Sequence, residues 1–336
     1  MSLQTALVVT SISAPNDALR RLAEVSLERS WRFYLIGDER SPRDFALRGC
    51  EFYSLERQRG AGLGFAETCP VRHYARKNIG YLLALREGAE VIVETDDDNM
   101  PLANFARDRR RVAMAPRVEK AGWLNVYRYY SDLAIWPRGL PLDAVQRPAP
   151  ALGEALEVDC PIQQGLADDN PDVDAVYRLL LPLPVQFRRG IQVALGAGSW
   201  CPFNSQNTTW FRDAFPLLYL PAYCSFRMTD IWRSLVAQRI AWEYGWSVLF
   251  HDASVRQDRN EHDLMKDFAD EVPGYLQNRR IAGLLEGLSL SGAREAMGEN
   301  LRICYEALAG EGIVGRQELA LLSAWLQDLK EMGLKQ

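Results

Sequence analysis

The chain has 336 residues, of which 48% are hydrophobic and 25% charged, and its net charge is −5. That length suits one large α/β domain with an appendage, or two domains, and the composition is ordinary for a soluble globular protein. The acidic balance gives no electrostatic footprint for nucleic acid. Six scattered cysteines with no Cys-x-x-Cys pair argue against a zinc site or disulfide framework and fit a reducing cytoplasm.

The N-terminus lacks a basic segment followed by a long apolar one, so no signal peptide is expected. Residues 6–12, rich in β-branched side chains, read as a buried strand. Residues 17–28 place Leu19, Leu22 and Ala23 at helical spacing. Residues 31–36 return as a strand that ends in Gly37-Asp38, and residues 50–55 suit a further short strand. The glycine-containing loop at 60–64 lacks the phosphate-loop lysine pattern. Residues 73–87 read as a helix, with Ile79, Leu82, Leu83 and Arg86 on one face. Strand and helix alternate through the first hundred residues, which predicts an α/β fold with a mostly parallel central sheet flanked by helices.

That helix leads into the apolar run Val91-Ile92-Val93 and then into Asp96-Asp97-Asp98-Asn99, stopped by Pro101. Three consecutive carboxylates repel one another, and a hard divalent cation would relieve the repulsion. A strand's carboxyl end is also where open α/β sheets bind ligands. Asp and Asn equally form ordinary solvated turns. Arg76 and Lys77 occupy a first helical turn, where the dipole disfavours cations unless an anion such as a diphosphate lies between. The alternative is that both face water or pair with nearby acids.

Prolines 137, 141, 148, 150 and 161 punctuate a long excursion from the sheet, and residues 168–174 form a second acidic cluster. Residues 204–208 display polar groups between aromatic flanks, which suits either sugar recognition or a simple turn. Thr229 reads as the N-cap of a helix carrying Asp230 in its first turn. Residues 246–250 read as a strand ending in His251, and from Tyr275 onward the chain reads as helical. No apolar run is long enough to span a bilayer.

In order, Val8–Ile12, Gly37-Asp38, the segment 76–81, Thr95–Asn99, Gly165-Leu166 with Asp169 and Pro171–Asp174, 202–208, 230–233 and Arg259-Asn260 with His262 form a series. By that series the chain resembles the STELLO family of glycosyltransferases, over roughly residues 5–275, and is more distantly similar to the reversibly glycosylated polypeptides, which are UDP-arabinose mutases. The resemblance implies a GT-A-like (Rossmann-like) domain for nucleotide sugar and acceptor over 1–272, with a helical C-terminal appendage over 273–336. It implies a UDP-sugar donor, a glycan or other hydroxyl acceptor, and Mn²⁺ or Mg²⁺ as cofactor. Asp96 and Asp98 would hold the metal, with Asp96 and Asp97 near the sugar and ribose. Asp38 and Thr10 would meet the nucleoside, Arg76 and Lys77 the diphosphate, and Asn204 and Asn207 the sugar. His251 and His262 are candidates for a late histidine ligand. Asp230, with Asp169 and Asp172 in reserve, would be the base of an inverting transfer; a retaining transfer needs none. The plant members' N-terminal membrane anchor is not seen, so the expectation is a soluble cytoplasmic enzyme, with room for peripheral membrane contact and for oligomerisation through the C-terminal helices. A UDP-sugar mutase and a non-catalytic scaffold of a polysaccharide synthesis complex are the alternatives.

Overall fold

The computed structural model describes residues 3–258 and 263–334. Strands β1 (Thr5–Thr10), β2 (Arg32–Ile36), β3 (Glu51–Tyr53) and β4 (Val91–Thr95) build one half of a ten-stranded sheet. Helices α1 (Asp17–Arg29), α2 (Leu55–Arg59), α3 (Gly64–Thr68) and α4 (Lys77–Arg86) connect them. β1, β2 and β4 are buried on both faces, which is why they read as apolar runs, while β3 lies at the sheet edge. Side-chain alternation sorts them: Leu7, Val9, Phe33, Leu35 and Val93 pack toward α1, while Val8, Ile36 and Ile92 join the larger core with α4. Asn16 caps α1, its side chain accepting the Leu19 N–H at 2.8 Å.

After β5 (Asn99–Pro101) comes the excursion. There β6 (Val112–Ala115) pairs with β9 (Leu156–Asp159), β7 (Arg117–Val118) joins the sheet edge, and β8 (Gly122–Trp123) pairs with β12 (Ser199–Trp200). The second half of the sheet is β10 (Ile162–Asp168), β11 (Gln192–Leu195), β13 (Asn207–Phe211) and β14 (Val248–Gln257), with α5 (Ala175–Leu180) and α6 (Thr229–Glu243) between them in the chain. The spatial order is β3-β2-β1-β4-β13-β10-β14-β11-β7, with β5 paired to β14.

The sheet is mixed rather than mostly parallel. β13 enters antiparallel between β4 and β10, and β11 and β5 run antiparallel to β14. The polar residues that open β13 hide a strand whose β-branched and aromatic remainder, Thr208 to Phe211, has high strand propensity. β1, β2, β4, β10 and β14 nevertheless all run the same way, so their carboxyl ends share one edge. That edge carries Asp38, Ser11, Asp96–Asp98, Asp169 and Gln257.

Thr229 is the first residue of α6 rather than its cap, because a short turn over Phe226–Met228 leads directly into the helix. α6 is buried on nearly every side, and its polar side chains Asp230, Arg233, Ser234, Gln238 and Arg239 are all hydrogen-bonded within the fold. The tail forms α7 (Leu264–Glu286), α8 (Met297–Gly310) and α9 (Glu318–Glu331), and residue 272 lies inside α7. Side chains tie the tail down. Asp328 accepts the N–H groups of Gly64 and Phe65 at 3.0 and 2.9 Å, and Glu318 accepts those of Ala222 and Tyr223 at 3.0 and 2.7 Å. Both carboxyl groups thus satisfy backbone donors that burial would otherwise leave unpaired. Among the described residues no helix is long and apolar enough to cross a membrane.

Candidate active site

The three carboxylates at the end of β4 do not cluster. β4 ends at Thr95 and a turn over Asp97-Asp98 gives each a different neighbour: Asp96 meets Tyr74 and Lys77, Asp97 meets Ser11, and Asp98 meets Gln257. Asp96 Oδ1 accepts the Tyr74 hydroxyl at 2.6 Å and the Lys77 ammonium at 3.0 Å. Its side chain is 28% exposed, and among the described residues no side chain bonds Oδ2. Asp97 accepts the Ser11 hydroxyl, while its carbonyl accepts Asn16 Nδ2 at 2.8 Å. Burial raises the pKa of Asp97, against the Ser11 hydrogen bond.

Asp98 is the site's electrostatic anomaly. Oδ2 accepts Gln257 Nε2 at 3.0 Å, but Oδ1 is buried without a partner. Burial, then the neighbouring Asp96 and Asp97, push its carboxyl up to about 7. An unpaired buried carboxylate oxygen is costly. A divalent cation between Asp98 and the free oxygen of Asp96 would remove that cost, and Mg²⁺-type ions are commonly held by two carboxylates plus substrate phosphate oxygens. The oxygens the fold leaves for such an ion are Asp98 Oδ1 and Asp96 Oδ2. Among the described residues no group of three His, Cys, Asp or Glu side chains could enclose a metal, so phosphate or water oxygens would complete the shell.

Asp38 lies at the same edge. Its carboxylate accepts the N–H groups of His73 at 3.0 Å and Glu39 at 2.7 Å, and its own N–H donates to Ser41 Oγ at 2.8 Å. Thr10, half-buried, ends β1 beside it.

Arg76 and Lys77 are both buried; Lys77 pairs with the nearby acid Asp96, as the alternative reading allowed, whereas Arg76 faces neither water nor a carboxylate. Arg76 bonds Gln58 Oε1 at 2.8 Å and the Cys69 carbonyl at 2.9 Å. Gln58 in turn donates to the carbonyls of Gly37 and Tyr53 at 2.8 and 2.7 Å, so Arg76 braces the loop below β2. Lys77 donates to the carbonyls of Thr95 at 2.7 Å and Ser205 at 3.1 Å, and to Tyr74 and Asp96. It pins Asp96 in place. Lys77→Met takes a donor from two buried carbonyls and removes the countercharge of Asp96, leaving its Oδ1 only the Tyr74 hydroxyl, and is expected to cost on the order of 3 kcal/mol. Thermal unfolding without ligand checks this: a lysine devoted to diphosphate would leave the ligand-free melting temperature unchanged.

Asn204 and Asn207 are spent on the fold. Asn204 Nδ2 donates to Asp172 at 2.9 Å and its Oδ1 accepts Gln164 at 3.1 Å, while Asn207 Nδ2 bonds the Leu166 carbonyl and Ser254 Oγ, each at 2.9 Å. Asp230 and Asp172 share Arg138, which sequence reasoning missed because nothing in its proline-rich loop marks it. Arg138 donates to Asp230 at 3.0 Å and to Asp172 at 2.7 Å. Burial opposes ionisation of Asp230, but Arg138 prevails and holds the carboxyl below its usual range. The Ser205 N–H bonds Asp230 at 3.2 Å, and the Ser205 hydroxyl meets Tyr74 at 2.7 Å, so a continuous network joins Asp96 to Asp230. Asp169 keeps a left-handed backbone (φ 67) and bonds Gln186, with Arg256 3.7 Å away.

His251 pairs with Gly165 inside the sheet, and burial holds its pKa well below the usual value. Six residue steps along β14 part it from Gln257, about 20 Å of extended strand, so it is not brought to Asp98. His262 lies outside the described residues, as do Arg259 and Asn260.

Comparison with known proteins joins this geometry to a family. Residues 227–336, which hold α6, β14 and the C-terminal helices, match the STELLO glycosyltransferases. The chain is 29% identical to "Probable glycosyltransferase STELLO1" and 28% identical to "Probable glycosyltransferase STELLO2", both of Arabidopsis thaliana, over 98% of its own length. It spans 45% of the length of each. The likeness therefore reaches through the tail, beyond the motif series ending near residue 275, since packed helices carry likeness in spaced apolar positions rather than contiguous motifs. By its ordered motifs, the match over its C-terminal third and its likeness from end to end, this chain is similar to the STELLO-type glycosyltransferases.

Proposed function

We propose that this chain transfers a sugar from a nucleotide-sugar donor, UDP-linked, to a hydroxyl acceptor, with Mn²⁺ or Mg²⁺ held by Asp96 and Asp98. One observation carries the reading: a buried carboxylate oxygen of Asp98 stands unpaired at the edge where β1, β2, β4, β10 and β14 end, the edge that also carries Asp38. The cation would stabilise charge on the departing nucleoside diphosphate. The chain's own residues set the stage: Lys77 and Tyr74 fix one oxygen of Asp96, Gln257 fixes one of Asp98, and Asp38 is held open by His73.

Of the three carboxylates considered as base, Asp230 and Asp172 are engaged by Arg138, which suits positioning better than proton transfer. Asp169, least tied to a buried cation, is the better base for an inverting transfer.

The test is a thermal-shift series with UDP, UDP-hexoses and UDP-pentoses, each with and without Mn²⁺, followed by donor-turnover assays. A gain in melting temperature is expected only when nucleotide and metal are present together, through linkage of binding to folding. No gain with any pair would remove the reading.

A further inference from the structure

Among the described residues the aromatic rings are buried or half-buried with one exception. Among the described residues Phe226 is the only exposed aromatic, at 53%. It sits in the short turn that leads into α6, four residues before Asp230. Its ring centroid lies 5.9 Å from that of His73 and 6.4 Å from that of Tyr74, at interplanar angles of 73° and 75°. These two neighbours reach both ends of the candidate donor site. The His73 N–H bonds Asp38 at 3.0 Å, and the Tyr74 hydroxyl bonds Asp96 at 2.6 Å. The exposed ring therefore stands against the two neighbouring side chains whose residues hold the two carboxylates, Asp38 through the His73 backbone and Asp96 through the Tyr74 hydroxyl.

His73 adds a polar partner. Its Nδ1 accepts the Ala75 N–H at 3.0 Å, so the neutral ring carries its proton on Nε2. Burial lowers its pKa, against Asp38, which favours that neutral form. Among the described residues nothing accepts the Nε2–H. An open aromatic face beside an unspent N–H donor matches a sugar ring, whose C–H face stacks on aromatic carbon while its hydroxyls accept hydrogen bonds.

We infer that Phe226, with His73 at its edge, is the platform on which a sugar ring seats beside Asp38 and Asp96. This rests on the transferase reading above. The sugar comes from one of two sources, the donor's transferable residue or the acceptor.

Calorimetric titration of the wild type, Phe226→Ala and Phe226→Trp separates them. The probes are UDP with Mn²⁺, UDP-hexoses and UDP-pentoses with Mn²⁺, and neutral malto-, cello- and xylotetraose. Phe226→Ala is expected to weaken a sugar-bearing probe by about tenfold while UDP is unchanged, and Phe226→Trp to restore binding. Loss confined to nucleotide sugars assigns the platform to the donor, and loss confined to a tetrasaccharide assigns it to the acceptor. Equal loss for UDP and UDP-sugars means the ring stacks on the base and overturns the inference, as does no loss for any probe. A wild type that binds nucleotide sugars normally confines such a failure to Phe226. A wild type that binds none overturns the transferase reading instead, and overturns the platform as well if the tetrasaccharides also fail to bind.

Discussion

Asp98→Asn is expected to abolish the melting-temperature gain from UDP-sugar with Mn²⁺ and, at the same time, to make the ligand-free protein more stable. The two effects have one cause. The folded state raises the Asp98 carboxyl from 3.8 to about 7, so it holds a proton that the unfolded chain has released. Folding then takes up a proton between roughly pH 4 and 7, and stability falls as pH rises through that window. Above pH 7 the full penalty is present in the wild type. Asparagine, which carries no charge, escapes it. A shift of this size corresponds to an upper bound of about 4 kcal/mol, and partial exposure reduces the working expectation to about 1–3 kcal/mol. The gain should be clear at pH 8 and should fade toward pH 4. The wild type's affinity for the cation should move the opposite way. Proton and metal compete for Asp98, so donor-dependent Mn²⁺ binding should be about tenfold weaker at pH 6 than on its plateau near pH 8. Thermal melts of both proteins at pH 4, 6 and 8, with and without ligand, measure all of this. A destabilised Asp98→Asn protein that still gains from Mn²⁺ and UDP-sugar would place the cation elsewhere.

How much of this could be read from the chain alone depended on whether burial or partnership decided the matter. β1, β2 and β4 were legible because strands covered on both faces leave an unbroken apolar run, and α1 because its buried face repeats at helical spacing. β13 was not, because Asn204 to Asn207 look like a turn until Gln164, Ser254 and Asp172 are seen to accept and donate around them. The acidic run at 168–174 is the clearest case. It divides among unrelated tasks, with Asp168 on Arg189, Asp172 on Arg138 and Asp174 capping α5, and no local pattern announces such distant partners. Arg76 misled for the same reason: its partner Gln58 lies on another helix. Phe226 and Tyr74 carried no signal at all, since an aromatic next to a helix start is usually core.

The pair that supports the site from beneath is Arg233 with Glu94, and Arg233→Met is expected to be the most destabilising substitution near it. Glu94 precedes Asp96 by two residues, so alternation points both toward the α4 and α6 side of the sheet. Its two oxygens receive Arg233 at 2.8 and 2.9 Å, and also Trp210 Nε1 at 2.8 Å and the Tyr81 hydroxyl. The side chains are 1% and 0% exposed, so water cannot replace a missing partner. Removing the guanidinium alone leaves a buried carboxylate without its countercharge, a cost of about 3–5 kcal/mol, which for a chain of this size is a fall of about 5 °C in melting temperature. Because the strand that carries Glu94 also carries Asp96, the ligand response should weaken along with stability. The companion variant Glu94→Gln with Arg233→Met removes both charges and keeps an oxygen for Trp210 and Tyr81, so it should recover more than half of the lost stability. If the double variant is no better than Arg233→Met, the cost lies in lost packing of the arginine against Trp210, 5.0 Å from its ring, rather than in a stranded charge.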